Sequence, residues 1–225
     1  MSATRNRQLG SVTLVAAGPG DAELLTVRAV RALGQADLII ADSDTVAIAK
    51  RYASADSEIV PAVDAAGLPL EYAARSKAVV DAAKDGRKVV RLMAGDPVLD
   101  GAFARETAAL TKAKFVFDFV PGVSTVSGVA GYTGVGLTSN AATEIRIIDG
   151  NDPDVDWSAH VSSKLTLVVL NAADKAADIS KALIKAGREL STPVVVTRDG
   201  TTVDQRSVIS TLEELPAAIK AARHA

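Results

Sequence analysis

The sequence predicts an α/β protein built from two lobes, and three observations carry that expectation. Short runs rich in Val, Leu and Ile alternate with stretches whose apolar residues recur at helical spacing, the pattern of βαβ units and a parallel sheet. Gly and Pro punctuate the loops that follow the apolar runs. Aromatic residues make up only 4% of the chain, while Ala, Val and Leu carry most of its 48% apolar content, which suits helices on a Val-rich sheet. At 225 residues the chain can hold one large domain or two small ones.

Taken in order, Val12–Ala17 reads as a buried strand stopped by Gly18-Pro19-Gly20-Asp21. Glu23–Leu33 places Leu24, Val27, Val30 and Leu33 at helical spacing, and Gly34 closes that helix. Leu38–Ile40 is a second strand, completing a βαβ unit within about thirty residues. Thr45–Tyr52 is helical, Glu58–Val60 a short strand before Pro61, and Leu70–Lys84 an amphipathic helix capped by Gly86. Lys88–Leu92 is a strand running into Gly95-Asp96-Pro97, Ala102–Thr111 a helix, and Phe115–Val120 a strand ended by Pro121-Gly122. A second series follows: strands at Thr143–Ile148 and Leu165–Leu170, a helix at Lys175–Lys185, a strand at Val194–Thr197, an edge strand at Arg206–Ser210 and a final helix at Leu212–Ala222. Gly128, Gly131, Gly134 and Gly136 mark the join, so the expected lobes are residues 1–120 and 121–225. No low-complexity segment and no internal repeat interrupts them.

Composition excludes several function classes. With no Cys there is no disulfide, thiolate metal site or Cys nucleophile, and two His residues, one of them His224 near the end, exclude a multi-His metal centre. The formal charge of −2 gives no field to draw the chain to nucleic acid or an anionic membrane, and so few aromatics make no base-stacking platform. No apolar run approaches the roughly 18 residues of a membrane span, and Met1–Leu9 lacks the apolar core of a signal peptide. The expectation is a cytoplasmic enzyme or binding protein, without bound metal.

In open parallel sheets, ligands bind beyond the carboxyl ends of the strands. Four loops stand there. Gly18-Pro19-Gly20-Asp21 allows close backbone approach, although Glu23 stands where a dinucleotide fingerprint has its third Gly. Ala94-Gly95-Asp96-Pro97 offers a carboxylate on a stiff turn. In Pro121-Gly122-Val123-Ser124-Thr125 a strand ends and a helix begins, with hydroxyls at the helix N-terminus. Arg198-Asp199-Gly200-Thr201-Thr202 suits a hairpin or a ligand-facing loop between two late strands. Each alone also suits a plain turn or a helix cap.

Together and in order, the loops resemble one family. VTLVAAGPGDAELLTVRAVRALGQADLIIAD (Val12–Asp42), KVVRLMAGDPVLDG (Lys88–Gly101), FVPGVSTVSGVAGYTGVGLT (Phe119–Thr138), LTLVVL (Leu165–Leu170) and TPVVVTRDGTTVDQR (Thr192–Arg206) are similar to the tetrapyrrole methylases. Within that family the chain most resembles uroporphyrinogen-III C-methyltransferase, in a divergent branch found fused to uroporphyrinogen-III synthase. The resemblance implies two α/β lobes with S-adenosyl-L-methionine bound in a cleft between them, a homodimer, and a tetrapyrrole substrate. It places the cofactor on Pro19, on Ala94, Gly95, Asp96 and Leu99, on Ser124 and Thr125, on Asn171 and on Gly200. Asp42 matches a carboxylate that takes up the proton lost from the methylated ring, a step general-base assistance accelerates about 10²–10⁴-fold. The implied reaction is attack of a pyrrole carbon on the sulfonium methyl, twice, giving precorrin-2 and S-adenosyl-L-homocysteine in sirohaem and cobalamin synthesis.

The sequence also departs from the family. Where a Lys follows the Asp by about twenty residues, Pro61–Gly67 contains none. Met93 replaces a Lys, Val98–Phe103 replaces a glycine-rich Arg loop, and Ser43-Asp44 replaces Arg-Leu. Each change removes a cation or a flexible loop beside a polycarboxylate substrate. That keeps two alternatives open: a cofactor-binding module with weak or no turnover that serves as a scaffold or sensor, and a methylase of another substrate. Arg91, Arg105, Arg146 and Arg198 are candidate propionate ligands or ordinary surface arginines. Tyr132 is a candidate cleft residue, Trp157 packs under a loop, and His160 is structural.

Overall fold

A computed structural model describes residues 9–222; most of the N-terminal segment read for a leader, and His224, lie outside the described residues. The chain divides into two compact units, the first ending at Thr125 and the second beginning at Val126.

The first unit is built on five parallel strands, β1 (Ser11–Ala16), β2 (Leu38–Ala41), β3 (Glu58–Pro61), β4 (Lys88–Met93) and β5 (Phe117–Val120), in the order β3-β2-β4-β1-β5. Helices cover both faces, so the central strands are apolar on both sides, as parallel sheets require. On one face, α1 (Val27–Gly34) and α2 (Val46–Tyr52) pack Ala29, Leu33, Ile48 and Ala49 on Val15, Ile39, Val90 and Leu92. On the other, α3 (Tyr72–Lys84) and α4 (Ala102–Lys112) pack Val79, Ala83 and Leu110 on Leu14, Ile40, Val89 and Met93. Side chains alternate along a strand, so β4 sends Val89, Arg91 and Met93 to the α3–α4 face and Val90 and Leu92 to the other. Each helix starts at the carboxyl end of the sheet, because the crossover connections bring the chain back antiparallel to the strands.

The second unit holds α5 (Thr125–Tyr132), which begins at the division, a parallel pair β6 (Glu144–Asp149) and β7 (Leu165–Leu170), an antiparallel pair β8 (Pro193–Arg198) and β9 (Arg206–Thr211), and helices α6 (Ala176–Lys185) and α7 (Leu215–Ala222). Its core gathers Leu165, Leu183, Leu212 and Leu215, with the Ser180 hydroxyl donating to the Leu212 carbonyl.

Several element boundaries differ from the sequence reading. The helix expected over Glu23–Leu33 is broken: Ala22–Leu24 forms a 3-10 turn, Leu25 is extended, and Thr26 restarts the helix by accepting from the Ala29 N–H at 3.2 Å. Val27, expected on the inner face, is therefore exposed. The third helix starts at Tyr72 rather than Leu70, the last at Leu215 rather than Leu212, and β5 at Phe117, after a left-handed turn at Lys114.

Candidate active site

Three of the four loops meet at the carboxyl ends of β1, β4 and β5, and backbone packing brings them together. The Gly18 N–H donates to the Gly95 carbonyl at 3.2 Å, and the Ala17 N–H to the Met93 carbonyl at 2.8 Å. Gly18 (φ +78°) and Gly95 (φ +63°) occupy the left-handed region that glycine alone enters without strain. Gly122 lies so close to the end of β1 that a Cβ there would sit 2.8 Å from the Ala16 carbonyl oxygen. A Cβ on Gly95 would meet only the Thr125 hydroxyl, at 3.5 Å, an ordinary contact, so there is space beside this turn. Pro19, Ala94, Gly95, Asp96, Ser124 and Thr125 are all half-buried, while Leu99 is exposed. The Asp96 carboxylate accepts from the Val98 N–H, and its carbonyl accepts from the Leu99 N–H at 2.9 Å, so the loop closes on itself before α4.

Asp42 follows β2 at the same edge. One carboxylate oxygen accepts from Arg91 Nη2 at 2.5 Å and Arg75 Nη1 at 3.2 Å; the other accepts from the Ala94 N–H at 2.9 Å. A carboxylate offers about four lone-pair directions, so roughly one stays open on this 20%-exposed side chain. Behind it, Arg91 (0% exposed) makes a two-pronged pair with Glu106 (2% exposed), both contacts at 2.9 Å, and donates to the Leu92 carbonyl at 2.7 Å. Burial alone would lower the Arg91 pKa; its hydrogen bonds and charge contacts with Glu106 and Asp42 outweigh this and raise it. Arg91 therefore stays a cation in the core. That corrects the sequence reading, in which it was a surface arginine or a propionate ligand: a fully enclosed guanidinium cannot reach a substrate. Arg75 and Glu106 were missed altogether.

Arg75 and Arg105 both lie over the Tyr72 ring, each guanidinium carbon 5.0 Å from its centre. Both arginines stand in the first turns of α3 and α4, at the carboxyl edge of the sheet. Arg105 pairs with no carboxylate among the described residues.

The remaining predicted residues belong to the second unit. Asn171 (φ +56°) turns the chain after β7, and its side-chain amide donates to Asp149 at 3.2 Å. Gly200 lies against α5, where a Cβ would come within 2.7 Å of the Val129 side chain. Arg198 pairs with Asp174, and Arg146 donates to the Ala159 carbonyl and touches the His160 ring. The Trp157 ring meets His160 edge-on, and Tyr132 is half exposed. Among the described residues, no cluster of His, Asp or Glu has the makings of a metal site, and no helix is long and apolar enough to cross a membrane.

Residues 11–216 match the family described as Tetrapyrrole (Corrin/Porphyrin) Methylases. The chain belongs to this family. Among curated proteins, it is 37% identical over 215 residues to "Siroheme synthase 1" of Klebsiella pneumoniae, covering 93% of this chain and 46% of that protein. It is 38% identical to "Siroheme synthase 1" of Pectobacterium atrosepticum, covering 92% and 44%. This tetrapyrrole methylase thus spans about half the length of the curated relatives it matches. Among solved structures, a cobalt precorrin-4 methyltransferase of cobalamin biosynthesis superposes with a TM-score of 0.83 at 25% identity, over 94% of this chain and 90% of that one. Uroporphyrin-III C-methyl transferase of Thermus thermophilus, complexed with S-adenyl homocysteine, superposes with a TM-score of 0.76 at 28% identity, over 92% and 86%. The α/β architecture with its parallel sheet is that of the methylase structures.

Proposed function

We propose that this chain is an S-adenosyl-L-methionine-dependent C-methyltransferase that converts uroporphyrinogen III to precorrin-2 in sirohaem and cobalamin synthesis. The convergence of Gly18–Asp21, Ala94–Asp96 and Gly122–Thr125 around Asp42, in a chain of this family, carries the reading. The loops suit the cofactor: left-handed glycines and the space beside Gly95 let a ligand approach the backbone closely. Pro19, Ala94, Gly95, Asp96, Leu99, Ser124, Thr125, Asn171 and Gly200 are its proposed contacts. S-adenosyl-L-methionine, when bound, supplies an electrophilic methyl group on a sulfonium.

The protein's own part is then positioning and proton transfer. The loops fix the donor, so that the pyrrole carbon meets it in near-attack geometry. Asp42 takes the ring proton on its open lone pair, held in place by Arg75, Arg91 and the Ala94 N–H. Arg105, stacked on Tyr72, provides a cation for the substrate's carboxylates at the edge where the family's own Lys and Arg positions are missing. That placement favours an active enzyme over a scaffold. The same reading carries a cytoplasmic homodimer of two lobes, acting beside or fused to a uroporphyrinogen-III synthase; the family resemblance supports this part.

The test is incubation of purified protein with methyl-labelled S-adenosyl-L-methionine and uroporphyrinogen III without oxygen. Label in a dimethylated product is expected. No transfer, beside a control methyltransferase that works, refutes the reading; cofactor binding without transfer identifies the scaffold or sensor instead.

A further inference from the structure

Arg91 sits where a strand buried on both faces has no use for a charge. Val89 and Met93 point the same way from β4 into the apolar layer under α3 and α4. Glu106 lies on the inward stripe of α4 with Ala102 and Leu110, one turn from each. Two charged residues on separate elements thus share one enclosed spot. Placing two ions in a core is rarely a net gain in stability over apolar side chains of similar size. This pair does something an apolar pair could not: guanidinium Nη2 holds Asp42, at the rim of the core, at 2.5 Å, and Asp42 holds the Ala94 N–H. Ala94 opens the Gly95 loop, which in turn accepts from Gly18.

We infer that the buried Arg91–Glu106 pair is a positioning device for the cofactor loops, acting through Asp42 to fix the Ala94 amide and with it the Gly95 and Gly18 turns. Glu106 sets the angle of the guanidinium by gripping Nε and Nη2 together, so that Nη2 has a single direction in which to meet Asp42. Lysine, with one compact charge and no fork, cannot hold Glu106 and Asp42 in this geometry. The same carboxylate proposed to accept the ring proton is therefore also the clamp on the loop proposed to hold the cofactor. The inference rests on that cofactor reading, and it makes Arg91 and Glu106 positioning residues that touch no ligand.

The test measures binding of S-adenosyl-L-homocysteine by calorimetry to the full chain and to four variants. These are Arg91→Met/Glu106→Met, which removes the pair without stranding a charge, Asp42→Ala, the triple variant and Arg91→Lys. Circular dichroism checks folding in each. Loss of a charge-assisted hydrogen bond at the loop is expected to weaken binding about 10- to 100-fold in the double variant and in Asp42→Ala. The triple variant should bind within about twofold of Asp42→Ala, because the pair acts through that carboxylate. Hydrogen exchange at the Ala94 amide should quicken in these three, and Arg91→Lys should not restore the wild-type affinity. A folded double variant that binds like the wild type overturns the inference, as does a triple variant whose loss is the product of the other two. If the double variant does not fold, Arg91→Lys and Asp42→Ala decide: wild-type affinity in the folded lysine variant overturns it, as do unchanged affinity and unchanged Ala94 exchange in Asp42→Ala. A wild-type chain that does not bind the ligand overturns the cofactor reading and this inference with it.

Discussion

Removing the Arg91 side chain alone should cost the first unit much of its stability. The guanidinium makes two contacts of 2.9 Å to Glu106, one of 2.5 Å to Asp42 and one of 2.7 Å to the Leu92 carbonyl, all in a site with no exposed Arg91 surface. In Arg91→Met the apolar volume is nearly kept, so cavity formation contributes little. What remains is Glu106, 2% exposed, with its nearest cation Arg75 at 3.9 Å. Stranding one member of a buried ion pair costs about 3–5 kcal/mol. Typical domain stabilities are about 5–15 kcal/mol, so the loss is a large fraction of the total. With a urea slope of about 2 kcal/mol per molar, the midpoint should fall by about 1.5–2.5 M. Adding Glu106→Met should recover most of this, leaving the double variant within about 2 kcal/mol of the wild type. Urea titration followed by far-ultraviolet circular dichroism measures both. A single variant within about 1 kcal/mol of the wild type would refute the placement of Glu106 as an enclosed carboxylate that depends on Arg91.

Three further outcomes follow from the same geometry. Gly122→Ala forces a Cβ to 2.8 Å from the Ala16 carbonyl oxygen, backbone against backbone, and should destabilise by about 1–3 kcal/mol in thermal melts; no change would place the Pro121 loop farther from β1. Gly95→Ala puts a side chain at φ +63° with only ordinary contact to Thr125, so it should cost about 1–2 kcal/mol through backbone conformation and weaken S-adenosyl-L-homocysteine binding in calorimetry. His160 has a pKa lowered first by burial and then by Arg146, so the folded chain favours the neutral ring. Its contribution to stability is complete above the unfolded value near 6.5 and is lost as the pH falls through the lowered folded value. His160→Gln should therefore flatten the melting temperature between pH 7.5 and 5, and an unaltered slope would contradict the assignment.

The fold was legible wherever the apolar pattern had one cause. Val12–Ala17, Leu38–Ile40 and Lys88–Leu92 are rich in apolar residues because both faces of a parallel strand are covered, and that pattern places them. The break in the first expected helix has a different cause. Thr26 outcompetes the pattern of Leu24, Val27 and Val30 by offering its hydroxyl to the Ala29 amide, a local bond that restarts the helix two residues into the expected stripe. In the second unit the runs were located, yet which strand pairs with which depends on contacts distant in sequence. The short Arg198–Arg206 connection suits a hairpin, as antiparallel β8–β9 forms, whereas the parallel pairing of β6 with β7 is not set by the runs alone.

At the site, the loops were readable because Gly, Pro and Asp after a strand have few purposes, whereas the charges behind them were not sought. The signal was nonetheless present. Arg91 interrupts the apolar run from Val89 to Met93, and Glu106 occupies the stripe set by Ala102 and Leu110. A charge inside a doubly covered strand and an opposite charge on the inner face of the next helix are each too costly to bury alone. Because that helix packs on the α3–α4 face of the same sheet, the two violations resolve only by pairing with each other. The excess donor capacity of Arg, five N–H groups against the two acceptors of Glu106, then requires a further acceptor. Asp42, at the end of the adjacent strand β2, stands one residue beyond Ala41, which is in register with Leu92. Reading polar residues at apolar positions as a set, rather than one at a time, leads from the sequence to the clamp on the Gly95 loop.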